Sequence, residues 1–285
     1  MDIETFRLTI DALGAELTPT MMQATGGLCG EALSAPSTGV EVSRDHRYGP
    51  HDRNRLDLFS QGHETGKPVL LFVHGGGFIM GDKTSEGSPF YDNIGNWAAA
   101  NGLLGATMTY RLAPADPHPA GTEDVLAAVC WLKANAAAHG GDPARIYVMG
   151  QSAGASHVAA FVAEGDEAVA GALLVSCIFD VGAAPPSPFH EAYYGPDHAD
   201  YARFGTTSGL IASPVPLLVT VSEFDAQQFQ HQAGQFAADW TAAKGTFPRL
   251  HWLRGHNHLS PAQAIGGSVD SLGPLIRDFI ADTSE

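Results

Sequence analysis

The sequence predicts an α/β fold in which a mostly parallel eight-stranded sheet carries helices on both faces. Three observations lead to this prediction. Strand-like and helix-like segments alternate along most of the 285 residues, which is the order of a parallel sheet with helical crossovers. The apolar run at residues 68–73 lacks polar alternation, as expected of a strand buried on both faces. No repeat, low-complexity tract or charged linker divides the chain, so we expect a single domain over residues 1–285.

The elements follow one another in a regular order from residue 41 onward. Strands are predicted at residues 41–48, 55–60, 68–73, 103–110, 145–150, 171–179, 216–222 and 247–253. Helices are predicted at residues 91–101, 122–138, 153–164, 226–243 and 269–281. In such sheets the binding sites form at the carboxyl ends of the strands. Functional residues are therefore expected directly after strands.

Two segments fall outside this alternation. Residues 1–40 contain one amphipathic helix, and residues 182–214 are rich in Pro, Gly and aromatic residues. The second segment carries four aromatic residues that are too apolar for a loop without a function, namely Phe189, Tyr193, Tyr194 and Phe204. We expect residues 1–40 to be an N-terminal cap segment and residues 182–214 a lid insertion. Which of the two covers the site is left open, and the alternative for both is a surface excursion.

Composition and charge exclude several classes of function. The chain has 15 Lys and Arg against 31 Asp and Glu, a formal charge of −16. This charge repels phosphate backbones and anionic headgroups, so neither nucleic acid nor membrane is an expected partner. The N-terminus lacks the basic and apolar regions of a secretory signal, so a cytoplasmic location is expected. The odd set Cys29, Cys130 and Cys177 predicts small buried hydrophobic residues rather than disulfides or a zinc site.

The candidate nucleophile lies in the pentapeptide Gly150-Gln151-Ser152-Ala153-Gly154, between a predicted strand and a predicted helix. That setting is typical of a nucleophile elbow. A turn this tight strains the serine backbone, and the two glycines allow the strand and the helix to approach each other. The hydroxyl of Ser152 is then exposed at the N-terminus of the helix.

The run His74-Gly75-Gly76-Gly77-Phe78 directly follows the buried strand at residues 68–73. Glycines at this place can turn backbone N–H groups toward a developing oxyanion, and the N–H of Ala153 can supply a further donor. The alternative is a plain glycine turn. A phosphate loop is disfavoured because Met80 stands where a dinucleotide fingerprint requires Gly. His74 is expected to hold the loop by a backbone hydrogen bond rather than to act as a base.

A nucleophilic serine requires a base within hydrogen-bond reach and an acid that orients the base. His256 and His258 both follow the last predicted strand, and His258 is preferred as the base. Glu223 and Asp225 follow the strand at residues 216–222, with Asp225 preferred and Glu223 as the fallback. Asp180, after the preceding strand, is a third option for the acid.

The other histidines are interpreted conservatively. A metal pair at His256 and His258 is disfavoured because a metal site requires three or more ligands, and no carboxylate or cysteine lies at ligand spacing. His118, His190 and the remaining histidines are expected at the surface. No metal and no cofactor are therefore expected.

Together these motifs resemble the α/β-hydrolases, and among them the hormone-sensitive-lipase-like and related bacterial carboxylesterases. The resemblance covers most of residues 41–282 and rests on four motifs in a fixed order. They are His-Gly-Gly-Gly-Phe at 74–78, Gly-Asp at 81–82, Tyr-Arg-Leu-Ala-Pro at 110–114 and the pentapeptide at 150–154. The resemblance implies the α/β-hydrolase fold. Two departures are that Gln151 replaces the acidic residue or His that often precedes the serine, and that residues 183–213 align only at Tyr193-Tyr194-Gly195.

The resemblance also implies roles for individual residues. Ser152, Asp225 and His258 occur in the order of that family's catalytic triad. Gly76, Gly77 and Ala153 would form the oxyanion hole. Arg111 would be a structural residue that ties the loop after its strand to neighbouring carboxylates or carbonyls.

Three functional hypotheses follow. The first is a serine hydrolase that cleaves a small to medium carboxylic ester through an acyl-enzyme. The second is an amidase or formamidase that uses the same triad, and the third is a ligand receptor or pseudoenzyme on the same fold. The partner is therefore a small-molecule ester or amide, and the sequence leaves open whether the chain forms a homo-oligomer. The residues expected to bind substrate are Phe78, Tyr193 and Tyr194, with Met21 and Met22 adding apolar surface.

Overall fold

The computed structural model describes residues 1–165 and 169–283. It confirms the predicted mostly parallel eight-stranded sheet, with the strand order β1-β2-β4-β3-β5-β6-β7-β8. The strands are β1 (Val40–Arg47), β2 (Arg55–Gln61), β3 (Lys67–Val73), β4 (Leu104–Met108), β5 (Gly141–Gln151), β6 (Gly171–Val175), β7 (Leu217–Phe224) and β8 (Leu250–Asn257). Strand β2 is antiparallel to β1 and β4, and the other neighbouring strands are parallel.

Helices cover both faces of the sheet. The helices are α1 (Ile3–Leu13), α2 (Pro19–Ala32), α3 (Asp92–Ala100), α4 (Ala120–Asn135), α5 (Ala153–Glu164), α6 (Pro188–Tyr194), α7 (Thr207–Ala212), α8 (Gln227–Lys244), α9 (Ser260–Gln263) and α10 (Gly273–Thr283). One hydrophobic core joins one face of the sheet to α4, α5, α7 and α8. A second core joins the opposite face to α3, α9 and α10.

Strand β3 shows why both faces must be covered. Leu71 and Val73 lie in the first core, whereas Leu70 and Phe72 lie in the second. All four side chains are buried, because successive side chains of a strand point to opposite faces. The prediction of two-sided burial at residues 68–73 is therefore confirmed.

The carboxyl ends of two strands differ from the prediction by four residues each. Strand β6 ends at Val175 rather than at residue 179, because Ser176 has a φ of 51°, which is incompatible with an extended strand. Strand β8 continues to Asn257, which pairs with Phe224 of β7. The segment that was expected to be a loop after residue 253 is therefore partly strand.

The N-terminal segment contains two helices rather than the single helix predicted. The side chains of Asp2 and Thr18 cap the N-termini of α1 and α2, and such caps favour helix formation in short segments. Phe6 and Ile10 of α1 form a small core with Cys29 of α2. The glycines of α2 weaken helix propensity, so the apolar pattern alone did not indicate this helix.

Some predictions of burial were wrong. Cys29 and Cys177 are buried, but Cys130 is exposed on α4. Cys130 therefore is not a core residue.

Within the part of the chain that the structure describes, no helix has both the length and the hydropathy needed to cross a bilayer.

Candidate active site

Ser152 occupies the turn between β5, which ends at Gln151, and α5, which begins at Ala153. Its backbone is strained, with φ 57° and ψ −122°. A Cβ atom at Gly150 would lie 2.3 Å from the Gly154 carbonyl oxygen, and a Cβ atom at Gly154 would lie 2.2 Å from the Val73 carbonyl oxygen. Only glycine fits at either place, so close approach of strand and helix holds the serine at the tip of the turn.

Ser152, His258 and Asp225 form one continuous hydrogen-bonded chain. Ser152 Oγ lies 2.7 Å from His258 Nε2. His258 Nδ1 lies 2.7 Å from Asp225 Oδ1. His258 and Asp225 are 1% and 2% exposed, whereas Ser152 is half-buried. The three side chains come from the ends of three strands, and Ser152 is the only one of the three residues that is partly exposed.

Two donors hold the Asp225 carboxylate in place. Its Oδ2 atom accepts a hydrogen bond from the Ser222 backbone N–H at 2.7 Å and another from Ser176 Oγ at 2.7 Å. The left-handed backbone at Ser176 aims its hydroxyl at this oxygen. These donors leave Oδ1 free to face His258. Sequence reasoning missed Ser176 and Ser222, because nothing in the sequence distinguishes them from other serines near strand ends.

The loop that carries His258 is fixed from two sides. Gln151 Nε2 donates to the His258 carbonyl oxygen at 2.8 Å, so the residue that departs from the family pattern ties the serine turn to the base. Phe229 packs its ring 4.1 Å from the imidazole. Asn257 Nδ2 donates to Thr25 Oγ1 of α2 at 2.7 Å. The N-terminal segment therefore contacts the loop next to the base.

The alternative bases and acids lie elsewhere. Both ring nitrogens of His256 are hydrogen-bonded, to Ser260 and Ser271, and burial lowers the pKa of His256 to about 4. His256 is therefore a neutral core residue. Glu223 accepts two hydrogen bonds from Arg7 of α1.

Asp180, the third option for the acid, caps a short 3₁₀ helix at Val181–Ala183 through the Gly182 N–H. Its carboxylate is committed to this turn. Among the three candidate carboxylates, Asp225 is the one that contacts His258.

The glycine loop places free donors beside the serine. Within the described residues, the backbone N–H groups of Gly76, Gly77 and Ala153 have no hydrogen-bond acceptor. Gly76 has a φ of 125°, and a Cβ atom there would lie 2.0 Å from the Met80 carbonyl oxygen. The sequence requires glycine here for steric reasons. Three unpaired N–H groups near a nucleophile are the arrangement that binds an oxyanion.

Two residues hold the surrounding loops. His74 Nδ1 lies 2.6 Å from the Gly75 carbonyl oxygen, and its ring stacks on Tyr110 at 4.3 Å. Burial lowers the pKa of His74 to about 4, so the ring is neutral. Arg111 Nε lies 3.0 Å from Asp124 Oδ1 on α4, where it anchors the loop that follows β4.

The serine opens into a cavity of about 360 Å³. Phe78, Met22 and Leu17 line it, together with Phe189 of α6. Residues 1–40 and residues 182–214 therefore both contribute to the cavity walls. The large apolar side chains of the lining are those of Leu17, Met22, Phe78, Met80, Ile178, Phe189, Phe229 and Leu259.

Three expected pocket residues do not reach this cavity. Tyr193 and Tyr194 lie behind Phe78, with the Tyr193 ring stacked on Phe78 at 4.6 Å. Met21 is a buried residue of α2 and does not line the cavity. His190, expected at the surface, is 7% exposed and lines the cavity. The helical turn of α6 explains why His190 lines the cavity and Tyr193 does not. It directs Phe189 and His190 toward the cavity and places Tyr193 against Phe78.

Comparison with known proteins agrees with this architecture. A family model described as the alpha/beta hydrolase fold matches residues 70–259. The chain belongs to the alpha/beta hydrolase family. The matched range contains the glycine loop, the serine turn, Asp225 and His258.

Curated relatives match over part of this range. The chain is 39% identical over 121 residues to an isoprenylcysteine alpha-carbonyl methylesterase of Arabidopsis thaliana, covering 42% of this chain and 27% of that protein. It is 39% identical over 134 residues to the carboxylesterase NlhH of Mycobacterium tuberculosis, covering 47% of this chain and 36% of that protein. The matches thus span about a quarter to a third of these relatives.

Two solved structures share the whole fold. Esterase B of Lactobacillus rhamnosis has a TM-score of 0.76 at 17% identity, covering 100% of this chain and 97% of that one. A thermostable esterase of Pseudomonas putida has a TM-score of 0.73 at 19% identity, covering 98% and 96%. At these identities the likeness concerns the fold.

Proposed function

We propose that this alpha/beta hydrolase is a serine carboxylesterase that hydrolyses small to medium carboxylic esters. The observation that carries the proposal is the chain Ser152–His258–Asp225, with 2.7 Å between the reacting atoms of each pair, next to three unpaired backbone N–H groups. The esterases among its relatives support the same reaction class.

In the first half-reaction, Ser152 Oγ attacks the ester carbonyl carbon and its proton passes to His258 Nε2. Asp225 accepts the Nδ1–H of His258, which fixes the tautomer and stabilises the imidazolium. The N–H groups of Gly76, Gly77 and Ala153 stabilise the carbonyl oxygen as it becomes negative. The alcohol then leaves with the proton from Nε2, and an acyl-enzyme remains on Ser152.

In the second half-reaction, water replaces the alcohol. His258 Nε2 takes a proton from the attacking water, and the same N–H groups stabilise the second tetrahedral intermediate. When it collapses, the proton returns to Ser152 Oγ and the carboxylic acid is released. The chain supplies each of these groups, so this route requires no metal and no cofactor.

The cavity bounds the substrate. Its volume of about 360 Å³ lies near the lower end of the ~300–1,000 Å³ that is typical of ligand pockets. Most of its lining surface is apolar. We therefore expect the highest turnover with short acyl chains and a decline once the acyl group exceeds the space between Phe78 and Phe189.

The test compares wild type with Ser152→Ala on p-nitrophenyl esters of increasing acyl length. We expect the variant to lose about 10⁴-fold or more in kcat, and a fluorophosphonate to label wild type at Ser152 only. Retention of more than a tenth of wild-type turnover in the variant would contradict the proposal. Turnover of a matched N-formyl amide exceeding that of the ester would assign the triad to amide cleavage instead.

A further inference from the structure

Gln263 is a polar residue of the cavity that the proposed mechanism does not use. It lies at the end of α9, five residues after His258 in the sequence, and lines the cavity. Its side chain is 9% exposed, and its Oε1 atom has no hydrogen-bond partner among the described residues. A buried amide without a partner is destabilising. A group that enters the cavity can supply what the protein does not.

Two other buried amide side chains near the site make hydrogen bonds. Gln151 Nε2 donates to the His258 carbonyl oxygen. Gln232 Oε1 accepts from the backbone N–H of Phe179, and its Nε2 donates to Asp180. Asn93 Oδ1 of α3 also has no partner among the described residues, but Asn93 does not line the cavity. Gln263 does line it, so an entering group can reach its unpaired oxygen.

The backbone beneath Gln263 is held firmly, so its side chain has a defined place. Asn93 Nδ2 of α3 donates to the carbonyl oxygens of Ala262 at 3.0 Å, Gln263 at 3.4 Å and Ile265 at 3.1 Å. The Gln263 N–H also donates to the Leu259 carbonyl oxygen at 3.3 Å. A binding side chain on a rigidly held backbone favours selective binding.

Tyr91 supplies a second polar group from the element tied to α9. It stands two residues before Asn93 and lines the same cavity. Within the described chain its hydroxyl has no hydrogen-bond partner, and burial raises the pKa of Tyr91 to about 12. The hydroxyl therefore stays protonated and can donate at neutral pH.

The cavity offers no charged group for recognition. Among the described residues that line it there is no Asp, Glu, Lys or Arg. An ionic substrate group would lose its hydration there without gaining an opposite charge. Recognition beside the scissile bond must then use neutral hydrogen bonds.

We propose that Gln263 is a specificity-determining residue that binds a neutral amide or hydroxyl group of the substrate, next to the scissile ester. Such a group can both donate to the Gln263 carbonyl oxygen and accept from its amide nitrogen. The proposal rests on the esterase function above and narrows its substrate class to esters with a neutral polar substituent.

The test uses two substrate pairs in which a polar and an apolar member share the same shape. On the acyl side, the p-nitrophenyl ester of N-acetylglycine is compared with that of 4-methylpentanoic acid. On the alcohol side, 2-hydroxyethyl acetate is compared with propyl acetate. Wild type is expected to favour the polar member of one pair by about tenfold in kcat/KM, the effect of a well-made neutral hydrogen bond.

The variant Gln263→Met keeps the side-chain volume and removes the amide. We expect it to abolish that preference while kcat/KM for the apolar member stays within about twofold of wild type. Gln228→Met is the matched control, because Gln228 also lines the cavity but is only half-buried, and it should keep the preference. A preference that survives in Gln263→Met, or is absent from wild type in both pairs, would overturn the proposal.

A binding measurement separates this proposal from the esterase function. Calorimetric titration of Ser152→Ala with N-acetylglycine methyl ester and with methyl 4-methylpentanoate, and with the alcohol-side pair, requires no turnover. If wild type hydrolyses no ester, the esterase proposal fails, whereas tighter binding of the polar member that is lost in Ser152→Ala/Gln263→Met still supports the role of Gln263. Equal binding of both members of each pair refutes that role.

Discussion

Replacing Asp225 by Asn tests whether this carboxylate sets the tautomer of His258. In the structure, Oδ2 accepts the Ser222 backbone N–H at 2.7 Å, and that donor cannot reverse its polarity. The Asn oxygen must therefore occupy the Oδ2 position, which leaves the NH₂ group facing His258 Nδ1. His258 must then carry its proton on Nε2, and it cannot accept the proton of Ser152.

The expected loss follows from this tautomer. With the base blocked, turnover retains only what binding and the oxyanion donors supply, so kcat for p-nitrophenyl acetate should fall by about 10⁴-fold. The fold should survive, because Asn fills the same volume and Ser176 Oγ, which donates to the carboxylate, can rotate to suit the amide. Stopped-flow or steady-state kinetics and the urea unfolding midpoint measure the two effects separately.

Glu223→Gln provides the matched control. Glu223 lies two residues away, but it binds Arg7 and the Gly255 N–H rather than His258. Its variant should keep kcat within about threefold of wild type. The reasoning is refuted if Asp225→Asn loses less than tenfold, or if Glu223→Gln loses as much as Asp225→Asn.

Three further predictions concern the glycine loop, the buried His256 and substrate charge. Gly76→Ala should reduce kcat by about 10²- to 10³-fold. The new Cβ atom would lie 2.0 Å from the Met80 carbonyl oxygen, so the loop must shift and its N–H donors move with it. A kcat within threefold of wild type would contradict this prediction. The buried imidazole of His256 has a pKa of about 4, against ~6.5 in the unfolded chain. As the pH falls, the unfolded chain therefore binds a proton at His256 before the folded chain does. The free energy of unfolding should fall between pH ~6.5 and ~4, by up to about 1.4 kcal/mol per pH unit for this group. Urea titrations of wild type and His256→Asn check it, and equal slopes in both proteins would refute it. Finally, kcat/KM for the p-nitrophenyl monoester of succinate should be at least about tenfold below that for p-nitrophenyl butyrate. No Lys or Arg is among the described residues that line the cavity, and the chain carries a formal charge of −16, which repels an anionic substrate. Equal kcat/KM values would show that a cation reaches the site.

The fold class and the serine turn could be predicted from sequence because their causes are local. Residues 68–73 had to be buried on both faces, since no polar side chain alternates with the apolar ones. Gly150 and Gly154 had to be glycine for the strand and the helix to approach each other. The pentapeptide contains both glycines, so this steric requirement is visible in the sequence. The second N-terminal helix escaped prediction because the glycines of α2 mask its pattern.

Long-range contacts explain what could not be predicted. Whether His256 or His258 faces the serine depends on how far β8 continues beside β7, and the pairing of Phe224 with Asn257 arises only after the chain has folded. That His190 lines the cavity, rather than the expected Tyr193, likewise depends on how α6 packs against Phe78.

By itself, the sequence determined the alternating α/β architecture, the strained serine turn and the glycine loop, because hydrophobic periodicity and steric limits act between near neighbours. Only the tertiary structure decided which carboxylate contacts His258 and that Ser176 and Ser222 hold that carboxylate. It also decided that Gln263 lines the cavity with its Oε1 atom unpaired among the residues that the structure describes. His258 and Ser176 lie 33 and 49 positions from Asp225, and of these partners only Ser222 is close to it in the sequence. Their geometry depends on strand register and helix packing, which no local pattern encodes.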